Sequence, residues 1–476
     1  MKILFVSSEV TPFSKTGGLA DVAGALPIAL AGLGHDVAIM TPFYSKIKTR
    51  VQDAELEFEV KIGSISKQAK LKKSELSGDM PVFFIDQPDY FDREEFYATP
   101  SGAYGDNHER FAFFSFAVIE AARLIGFMPD IIHVHDWQCS LIPVYLKTVI
   151  KNDEFFGTTR TVLTIHNLAY QGLFDKDVLK IIGLPEWLFT SDYLEFWGKV
   201  NYLKGGIVFS DAVTTVSECY AREILTPEQG MGLDGLLRAN SHKIVGILNG
   251  VDYSEWNPKK DNYIKRNYSA KKLGGKLDCK EDLQRIFKLK KNIDVPLIGM
   301  IGRLTEQKGY DLVAQALPDL MIRDLQLVIL GTGEEKYHRF FESIKDKYKG
   351  KLGIKLAYDE ALAHKIESGA DIFLMPSLYE PCGLNQMYSL KYGTVPVVRA
   401  TGGLDDTVHE HPEDEGTGFK FHRFDYRDML EAVDRALKKF QDKKSWKKIM
   451  LNGMALDFSW QISASKYSQL FEKLVL

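Results

Sequence analysis

The chain has 476 residues, which predicts two or three domains. Its 60 lysine and arginine residues nearly balance 64 aspartate and glutamate residues, and this net charge of −4 argues against a nucleic-acid binder that relies on overall charge. A hydrophobic content of 45% excludes a disordered chain. No apolar segment reaches the ~18 residues of a membrane span, and the apolar run after Met1 is too short for a signal peptide. Four widely spaced cysteines predict neither a disulfide framework nor a zinc ribbon, so we expect a cytoplasmic protein with no membrane partner.

Short apolar, β-branched runs alternate along the chain with amphipathic stretches. This alternation predicts parallel sheets whose strands are joined by right-handed helical crossovers. Strands are predicted first at Lys2–Ser8, Asp36–Met40, Val82–Ile85, Ile131–Val134, Thr161–Ile165 and Ala212–Val216, and then at Leu297–Ile301, Leu325–Leu330, Gly353–Ala357, Ile372–Met375 and Val395–Arg399. Helices are predicted at Asp21–Leu33, His108–Ile125, Cys139–Ile150, Gly309–Leu317, Glu334–Tyr348, Glu360–Ser368 and, in the tail, Ser459–Leu474. Two series of five or six strands predict an α/β protein with two doubly wound domains.

The domain boundary is predicted near residues 240–260, where Asn249-Gly250 is a strong turn signal. The stretch Lys259–Lys291 follows, with 12 lysine or arginine residues against 4 acidic ones. Such a stretch fits a solvated, partly helical face better than a surface for an anionic ligand.

A glycine-rich loop is predicted between the first strand and the first helix, at Lys15-Thr16-Gly17-Gly18-Leu19-Ala20-Asp21. Its two glycines allow the backbone to approach a ligand closely, and the helix N-terminus and Lys15 attract an anion. The same residues also fit a tight surface turn. The loop is neither a Walker A motif nor a dinucleotide fingerprint.

Three segments of the second half also lie between a strand and a helix. The segment from Gly302 to Gly309 carries Arg303 and Lys308, two cations that could reach a phosphate. The segment from Pro376 to Leu384 carries Glu380, and Thr401-Gly402-Gly403-Leu404 repeats the first glycine pair. Each segment alone also fits an ordinary surface loop. Together they predict a phosphorylated ligand held in a cleft between two domains.

Other motifs carry weaker predictions. Gly230, Gly232 and Gly235 match G-x-G-x-x-G, but the residues before them look helical rather than extended, so we interpret the segment as a loop and not as a nicotinamide site. Asp175 and Asp177 have the spacing of a metal-binding pair, yet they precede a helix, where aspartate is common. His133 and His135 lack an evident third ligand and fit buried histidines better than a metal site.

The sequence resembles bacterial glycogen (starch) synthases over essentially its whole length. The resemblance rests on seven segments in the same order: the Lys15–Asp21 loop, Asp136-Trp137-Gln138, Thr164–Gly172 (TIHNLAYQG), Leu248–Asp252 (LNGVD), Gly302-Arg303-Leu304 with Gln307-Lys308-Gly309, Glu380-Pro381-Cys382-Gly383-Leu384, and Thr401–Leu404. It departs at Asn385, where the family usually has a small hydroxyl residue. Tyr388 replaces the second glutamate of related sugar transferases, as in the glycogen synthase branch.

The resemblance implies a GT-B fold, with two Rossmann-like domains facing a deep cleft. It assigns residues 1–245 to an acceptor-glucan domain, 246–456 to a nucleotide-sugar donor domain, and 457–476 to a helix that packs back on the first domain. The implied activity is that of a retaining hexosyltransferase that moves glucose from ADP-glucose to the non-reducing end of an α-1,4-glucan in glycogen or starch biosynthesis. The sequence alone does not separate ADP-glucose from UDP-glucose, and it leaves the oligomeric state open.

The resemblance also implies the site residues. Glu380, His166, Arg303 and Lys308 are the implied catalytic residues, and Asp136 and Trp137 are implied to contact the sugars. The donor is implied to contact Lys15, Thr16, Gly17, Gly18, Asp21, Asn249, Gly333, Tyr358, Cys382, Gly383, Leu384, Thr401 and Gly402. The cations would stabilise the departing diphosphate, so no metal and no cofactor are expected. Glu380 could act as a covalent nucleophile or through a same-face mechanism, and both remain open.

Three alternatives follow from the same residues. The first is another retaining GT-B transferase, acting on sucrose or a small acceptor. The second is a nicotinamide-dependent enzyme that uses the glycines at 230–235. The third is a glucan-binding protein that kept the fold without catalysis.

Overall fold

The computed structural model describes residues 1–47, 51–99, 102–410 and 415–476. The chain forms two compact units, the first built from Met1–Val216, Ala221–Gly250 and Trp460–Leu476 and the second from Ser217–Tyr220 and Val251–Ser459. The sequence predicts a domain boundary after residue 245. In the structure the chain passes from the first unit to the second after Gly250.

The first unit contains a nine-stranded sheet and two small antiparallel sheets. Its strands are β1 (Lys2–Val6), β2 (Asp36–Pro42), β3 (Gln52–Ile62), β4 (Ile65–Leu76), β5 (Met80–Asp86), β6 (Ala98–Thr99), β7 (Gly102–Ala103), β8 (Ile131–His135), β9 (Arg160–Ile165), β10 (Leu173–Asp175), β11 (Glu195–Phe196), β12 (Lys199–Asn201), β13 (Ala212–Thr215) and β14 (Ile244–Gly246). The large sheet has the order β14-β13-β9-β8-β1-β2-β5-β4-β3. Strands β14 to β5 in this order are parallel, and β4 and β3 continue the sheet antiparallel.

Nine helices precede residue 250 in the described part of the chain. They are α1 (Gly18–Gly32), α2 (Pro88–Phe91), α3 (Asn107–Leu124), α4 (Asp136–Cys139), α5 (Leu141–Lys147), α6 (Val178–Ile181), α7 (Tyr202–Phe209), α8 (Glu218–Glu223) and α9 (Asp234–Ala239).

The second unit is built around a six-stranded parallel sheet of order β17-β16-β15-β18-β19-β20. Its strands are β15 (Leu297–Ile301), β16 (Gln326–Leu330), β17 (Leu352–Lys355), β18 (Ile372–Met375), β19 (Val395–Arg399) and β20 (Phe419–Phe421). Its helices are α10 (Gly274–Ile286), α11 (Tyr310–Ile322), α12 (Glu335–Ile344), α13 (Glu360–Gly369), α14 (Asn385–Tyr392), α15 (Gly402–Thr407), α16 (Tyr426–Gln441) and α17 (Lys443–Ala455).

The parallel strands of the second unit are buried on both faces. Along β16, for example, Leu327 and Ile329 belong to one apolar cluster, while Val328 and Leu330 belong to another. Successive side chains of a strand point to opposite faces, so helices must cover both sides of the sheet. This arrangement explains the continuous apolar runs from which the strands were predicted.

The last helix, α18 (Trp460–Val475), belongs to the first unit, where it packs on α1. Tyr467 and Phe471 are fully buried and lie against the ring of His133 at the centre of the sheet. The chain therefore completes the core of its first unit with its final residues. None of the helices in the described ranges is long and apolar enough to span a bilayer.

One part of the large sheet was missed from the sequence. The prediction of parallel sheets is wrong for β3 and β4, which form an antiparallel hairpin. Val60 and Ile62 alternate with polar residues, and Gly63 at the turn has a φ of +58°. This period of two and the glycine were the available signal. Strands β14 and β20 are short and were also missed.

Each sheet has a point where the order of its strands reverses. Strand β1 lies between β2 and β8, and β15 lies between β16 and β18. In open α/β sheets, ligands bind beyond the carboxyl ends of the strands at this point. The loops after β1, β8, β15 and β18 are therefore the expected ligand-binding loops.

Candidate active site

In the second unit, the loops after β15 and β18 meet through an ion pair. The Nζ of Lys308 lies 2.9 Å from Oε1 and 2.6 Å from Oε2 of Glu380. Ser377 donates a second hydrogen bond to Oε2, at 2.9 Å. Glu380 is only 6% exposed, and its partners compensate the cost of burying its charge. The pair therefore lies at the strand reversal, with each partner supplied by a different loop.

Glycine is required where these loops touch. Gly309 has a φ of +73°, and a Cβ atom there would lie 2.0 Å from the carbonyl oxygen of Pro376. Gly402 has a φ of +46°, and its Cβ would lie 2.0 Å from the carbonyl oxygen of Glu380. At Gly403 the corresponding distance to the carbonyl oxygen of Cys382 is 1.9 Å. The Gly402-Gly403 loop thus packs directly on the segment that carries Glu380.

Arg303 and Gly333 lie on the neighbouring loops of the same sheet. Arg303 is exposed, and Leu304 forms an isolated bridge with Gly333 from the loop after β16. The N–H of Gly333 donates to Nε2 of His338 at 3.2 Å. Tyr358, after β17, is 77% exposed, so its ring is accessible to a ligand.

The other residues of this unit that were predicted to bind the nucleotide sugar lie in the loop that carries Glu380 and in the Gly402-Gly403 loop. Thr401 is buried at the start of α15, Cys382 is buried, and Gly383 has a φ of +72°. Leu384 precedes α14, and Asn385, the departure from the family pattern, donates from Nδ2 to the carbonyl oxygen of Ile301 at 3.2 Å. Asn385 therefore ties α14 to the end of β15.

In the first unit, the glycine-rich loop follows β1 as predicted. Lys15 pairs with Asp21 at 2.6 Å, and both side chains are about one-third to one-half exposed (43% and 32%). Buried Glu9 accepts hydrogen bonds from the backbone N–H and the hydroxyl of Thr16 and from the hydroxyl of Tyr97. Glu9 and Tyr97 hold the loop in place, and neither was singled out from the sequence.

Gly17 and Gly18 face open space, in contrast to Gly402 and Gly403. A Cβ atom at either position would have no neighbour within 4 Å, and Gly17 has an extended φ of −160°. Helix α1 begins at Gly18 without a side-chain cap. A helix N-terminus without a side-chain cap can offer N–H groups to an anion, and the fold itself does not require glycine here.

Three histidines form a row that runs from His133 in the middle of β8, through His135 at its end, to His166 just after β9. Nδ1 of His135 lies 2.9 Å from Nε2 of His166, and Nε2 of His133 lies 2.6 Å from the hydroxyl of Thr164. Burial lowers the pKa of His133 and of His166 to about 3, and it lowers the pKa of His135 well below its usual value. The row is therefore neutral at pH 7. His133 and His135 are buried histidines, as predicted.

Asp136 lies at the start of α4 with a φ of +53°. Its Oδ1 accepts the backbone N–H of His166 at 2.7 Å. Burial raises the pKa of Asp136 to about 7, although the backbone N–H groups of His166 and Asn167 act in the opposite direction. Asp136 thus positions the backbone of His166.

Trp137 is mostly covered. Its indole packs against Phe111, Phe174 and Tyr202, and only 9% of the residue is exposed. A sugar could touch only a small part of the Trp137 ring in this conformation.

Asn249 is also buried in the first unit, and its Oδ1 has no hydrogen-bond partner among the described residues.

The weaker motifs have structural roles. The glycines at 230, 232 and 235 lie between α8 and α9 rather than after a strand, so the dinucleotide fingerprint lacks its structural context. Asp175 pairs with Lys199. The four cysteines are free.

Known proteins match both units. The family described as "Starch synthase catalytic domain" matches residues 2–239, and "Glycosyl transferases group 1" matches residues 282–450. Glycogen synthase of Koribacter versatilis is 48% identical over 480 residues, covering 99% of this chain and 98% of the relative. Glycogen synthase of Geotalea uraniireducens is 48% identical over 476 residues, with the same coverage.

Solved structures match as well. The catalytic domain of starch synthase IV from Arabidopsis thaliana, bound to ADP and acarbose, has a TM-score of 0.92 and 34% identity, covering 100% of this chain and 99% of that one. Sucrose-phosphate synthase from Thermosynechococcus elongatus has a TM-score of 0.61 and 18% identity, with coverage of 99% and 98%, and shares the fold.

These matches and the two α/β units define a glycosyltransferase of the GT-B fold. The chain belongs to the glycogen and starch synthase family. It is accordingly a glucosyltransferase, and the resemblance drawn from the seven sequence segments is confirmed.

Proposed function

We propose that this protein transfers glucose from ADP-glucose to the non-reducing end of an α-1,4-glucan, with retention of anomeric configuration. The observation that carries the proposal is the ion pair between partly exposed Lys308 and buried Glu380 at the strand reversal of the second sheet. Membership of the glycogen synthase family supports the substrate class, and the ADP bound to the Arabidopsis relative supports an adenine nucleotide. Tyr358, exposed after β17, would stack on the adenine, and Asp21 would bind the ribose.

Charge on the leaving diphosphate is the first demand of the reaction. Negative charge grows on the diphosphate as the sugar–phosphate bond breaks, so fixed cations stabilise the transition state more than the ground state. Arg303 and Lys308 would supply these cations, assisted by Lys15 and by the backbone N–H groups of Gly17 and Gly18. Because protein cations supply this charge, we propose that the transfer needs no metal and no cofactor.

Charge on the sugar is the second demand. The anomeric carbon gains positive character in an oxocarbenium-like transition state, as in other glycosyl transfers. The Glu380 carboxylate would orient the glucose and offset this charge. Its hydrogen bonds from Lys308 and Ser377 hold both oxygens in place before the donor binds, which supports a positioning role.

His166 and Asp136 would act on the glucose side. A neutral His166 adds no positive charge beside the developing cation, and its main-chain carbonyl can face the sugar. Asp136 would fix this backbone through its hydrogen bond to the His166 N–H. The family's acceptor is a glucan, so we expect neither a nucleic acid nor a membrane as partner, and we expect the protein in the cytoplasm.

The proposal is tested by offering labelled ADP-glucose and labelled UDP-glucose in parallel with glycogen. We expect label in the polymer from ADP-glucose, dependent on added glycogen and released again by an α-1,4-specific glucosidase, with stoichiometric ADP. A preference for UDP-glucose would overturn the donor assignment. Glycogen binding without label incorporation or nucleotide release would identify a non-catalytic glucan-binding protein.

A further inference from the structure

A second cluster of chemically competent side chains lies in the second unit, away from the Lys308–Glu380 pair. It consists of Glu255, Glu360 and His364, whose potential ligand atoms all lie within 4.8 Å of one another. The two glutamates are exposed, and His364 is fully buried. Neither the sequence motifs nor the proposed glucosyl transfer uses any of the three.

The orientation of His364 is the independent observation that points to a ligand. Its Nδ1 lies 2.8 Å from Oδ2 of Asp261, which also accepts a hydrogen bond from the hydroxyl of Tyr392 at 2.5 Å. A carboxylate accepts, so Nδ1 is the donor in this hydrogen bond, and Nε2 is the ring nitrogen left for a metal ion. Nε2 is buried and has no hydrogen-bond partner among the described residues. A buried polar atom left in this way normally costs free energy unless a ligand satisfies it.

The neighbouring segments hold the ring and the carboxylates in register. Trp256 stacks on the His364 ring at a centroid distance of 3.7 Å and an angle of 9°, and Tyr388 stacks on the other face of Trp256 at 3.9 Å and 2°. Glu255 directly precedes Trp256, so the segment that stacks on the ring also supplies a carboxylate. Glu360 begins α13 and lies one helical turn before His364, on the same face.

We propose that Glu255, Glu360 and His364 form a binding site for a divalent metal ion of the zinc type. Nε2 of His364 and one carboxylate oxygen from each glutamate would be the ligands, with water in the open position. Asp261 would orient the imidazole from behind, as carboxylates commonly do at histidine–metal sites.

The three ligand atoms need only a small movement to bind one metal ion. Ligands of a tetrahedral zinc ion lie about 3.3 Å from one another, given metal–ligand bonds of about 2.0–2.1 Å. The separations of up to 4.8 Å seen here close if the exposed glutamate side chains move, while the buried histidine stays in place. The bound ion would join the segment around Trp256 to α13. This site has a structural role and is separate from the proposed chemistry of transfer.

The test uses the untagged full chain, stripped with a chelator and titrated with Zn²⁺ in competition with a chromophoric chelator. We expect one zinc per chain, and we expect Co²⁺ at the same site to show visible absorption bands of a low-coordinate ion. Glu255→Gln and Glu360→Gln change exposed side chains without changing their size, so folding should be preserved. Each should weaken Zn²⁺ binding at least ten-fold.

Glu342→Gln is the matched control, because Glu342 is an exposed carboxylate of α12 in the same unit and outside the cluster. It should leave Zn²⁺ binding unchanged. His364→Gln should abolish binding, and its circular dichroism shows whether the fold survives. The proposal is overturned if the wild-type chain binds no zinc, or if neither exposed glutamate variant weakens binding relative to Glu342→Gln. None of these readouts depends on glucosyltransferase activity.

Discussion

At the scale of single residues, the most informative feature is the contact between Lys308 and Glu380. The two residues are 72 positions apart and come from loops after different strands. Their hydrogen bonds neutralise a carboxylate that would otherwise be costly to bury. A bound diphosphate would compete for Lys308, so we expect the pair to couple the hydrogen bonding of Glu380 to the presence of the donor.

Replacement of Glu380 by glutamine should separate binding from transfer. The variant keeps the shape of the side chain but removes the negative charge near the anomeric carbon. We expect nearly unchanged affinity for ADP-glucose and a fall in kcat of about 10²–10³-fold, the scale found when one electrostatic contact to a transition state is lost. Calorimetric titration with ADP-glucose and steady-state kinetics measure the two quantities. Near-normal turnover would contradict the assignment, and Glu342→Gln is the control.

At the scale of elements, two loops with the same Gly-Gly-Leu sequence use their glycines for different reasons. Gly402 and Gly403 are required by the fold, because any side chain would collide with the backbone of the Glu380 segment. Gly17 and Gly18 meet no such obstacle. We therefore propose that their lack of side chains allows a ligand to approach the start of α1.

Alanine substitutions in these loops should give opposite patterns. Gly17→Ala should change the free energy of unfolding by less than about 1 kcal/mol, since nothing is displaced, while it raises the KM for ADP-glucose. Gly403→Ala should destabilise the protein severely, because its Cβ would lie 1.9 Å from the carbonyl oxygen of Cys382. Urea unfolding and donor kinetics measure both effects. Unchanged donor kinetics in Gly17→Ala would remove this loop from the site.

Helix α18 is the second element with a clear energetic role. Phe471 is fully buried beside the His133 ring, so its replacement by alanine leaves a cavity in the core of the first unit. We expect Phe471→Ala to cost about 3–5 kcal/mol in the free energy of unfolding. Lys473→Ala, an exposed change on the same helix, should cost little. Equal stabilities of the two variants in urea would show that α18 contributes little to the core.

At the scale of the whole molecule, the net charge of −4 says little about either proposed site. The two proposed sites differ in their local charge. Lys15, Arg303 and Lys308 would meet an anionic donor, while exposed Glu255 and Glu360 would attract a cation. The pH dependence of stability is likewise decided by a few buried groups rather than by the total charge.

The stability contributed by the buried histidine row should fall as the pH is lowered from about 6.5. Below this pH an unfolded histidine binds a proton, whereas His133, His135 and His166 stay neutral in the folded state because burial depresses their pKa values. The unfolded state then binds more protons, so acidification favours it. Asp136 and Glu367, whose pKa values burial raises to about 7 and about 8, act in the opposite sense, so the histidine contribution is measured by comparing the wild-type chain with a histidine variant.

Urea unfolding at pH 5, 6 and 7.5 measures this dependence. His133→Gln should lose less stability than the wild-type chain between pH 7.5 and 5, because one of the three protonation differences is gone. His242→Gln, at an exposed histidine, should follow the wild-type profile. Identical slopes for all three proteins would contradict the role of the buried histidine row.

Most of the parallel strands could be predicted from the sequence, and β15, β18 and β19 have their predicted limits. A strand buried on both faces leaves an apolar run that can be recognised locally. The β3–β4 hairpin was missed because its apolar residues alternate with lysines and glutamates, a pattern that is weaker per residue. The loops that carry Lys15, Lys308 and Glu380 were predicted because each follows a recognisable strand and contains glycine.

The sequence by itself determined the class of the protein, the positions of the strand-end loops and the family. The tertiary structure decided which distant side chains meet: Lys308 with Glu380 across 72 residues, and Asp261 with His364 across 103 residues. It also decided that Gly403 is required by packing whereas Gly17 is not. Periodicity and turn residues act over a few positions and can be recognised along the chain. Side-chain partners depend on the order of strands in a sheet, which brings distant segments together and leaves no local trace.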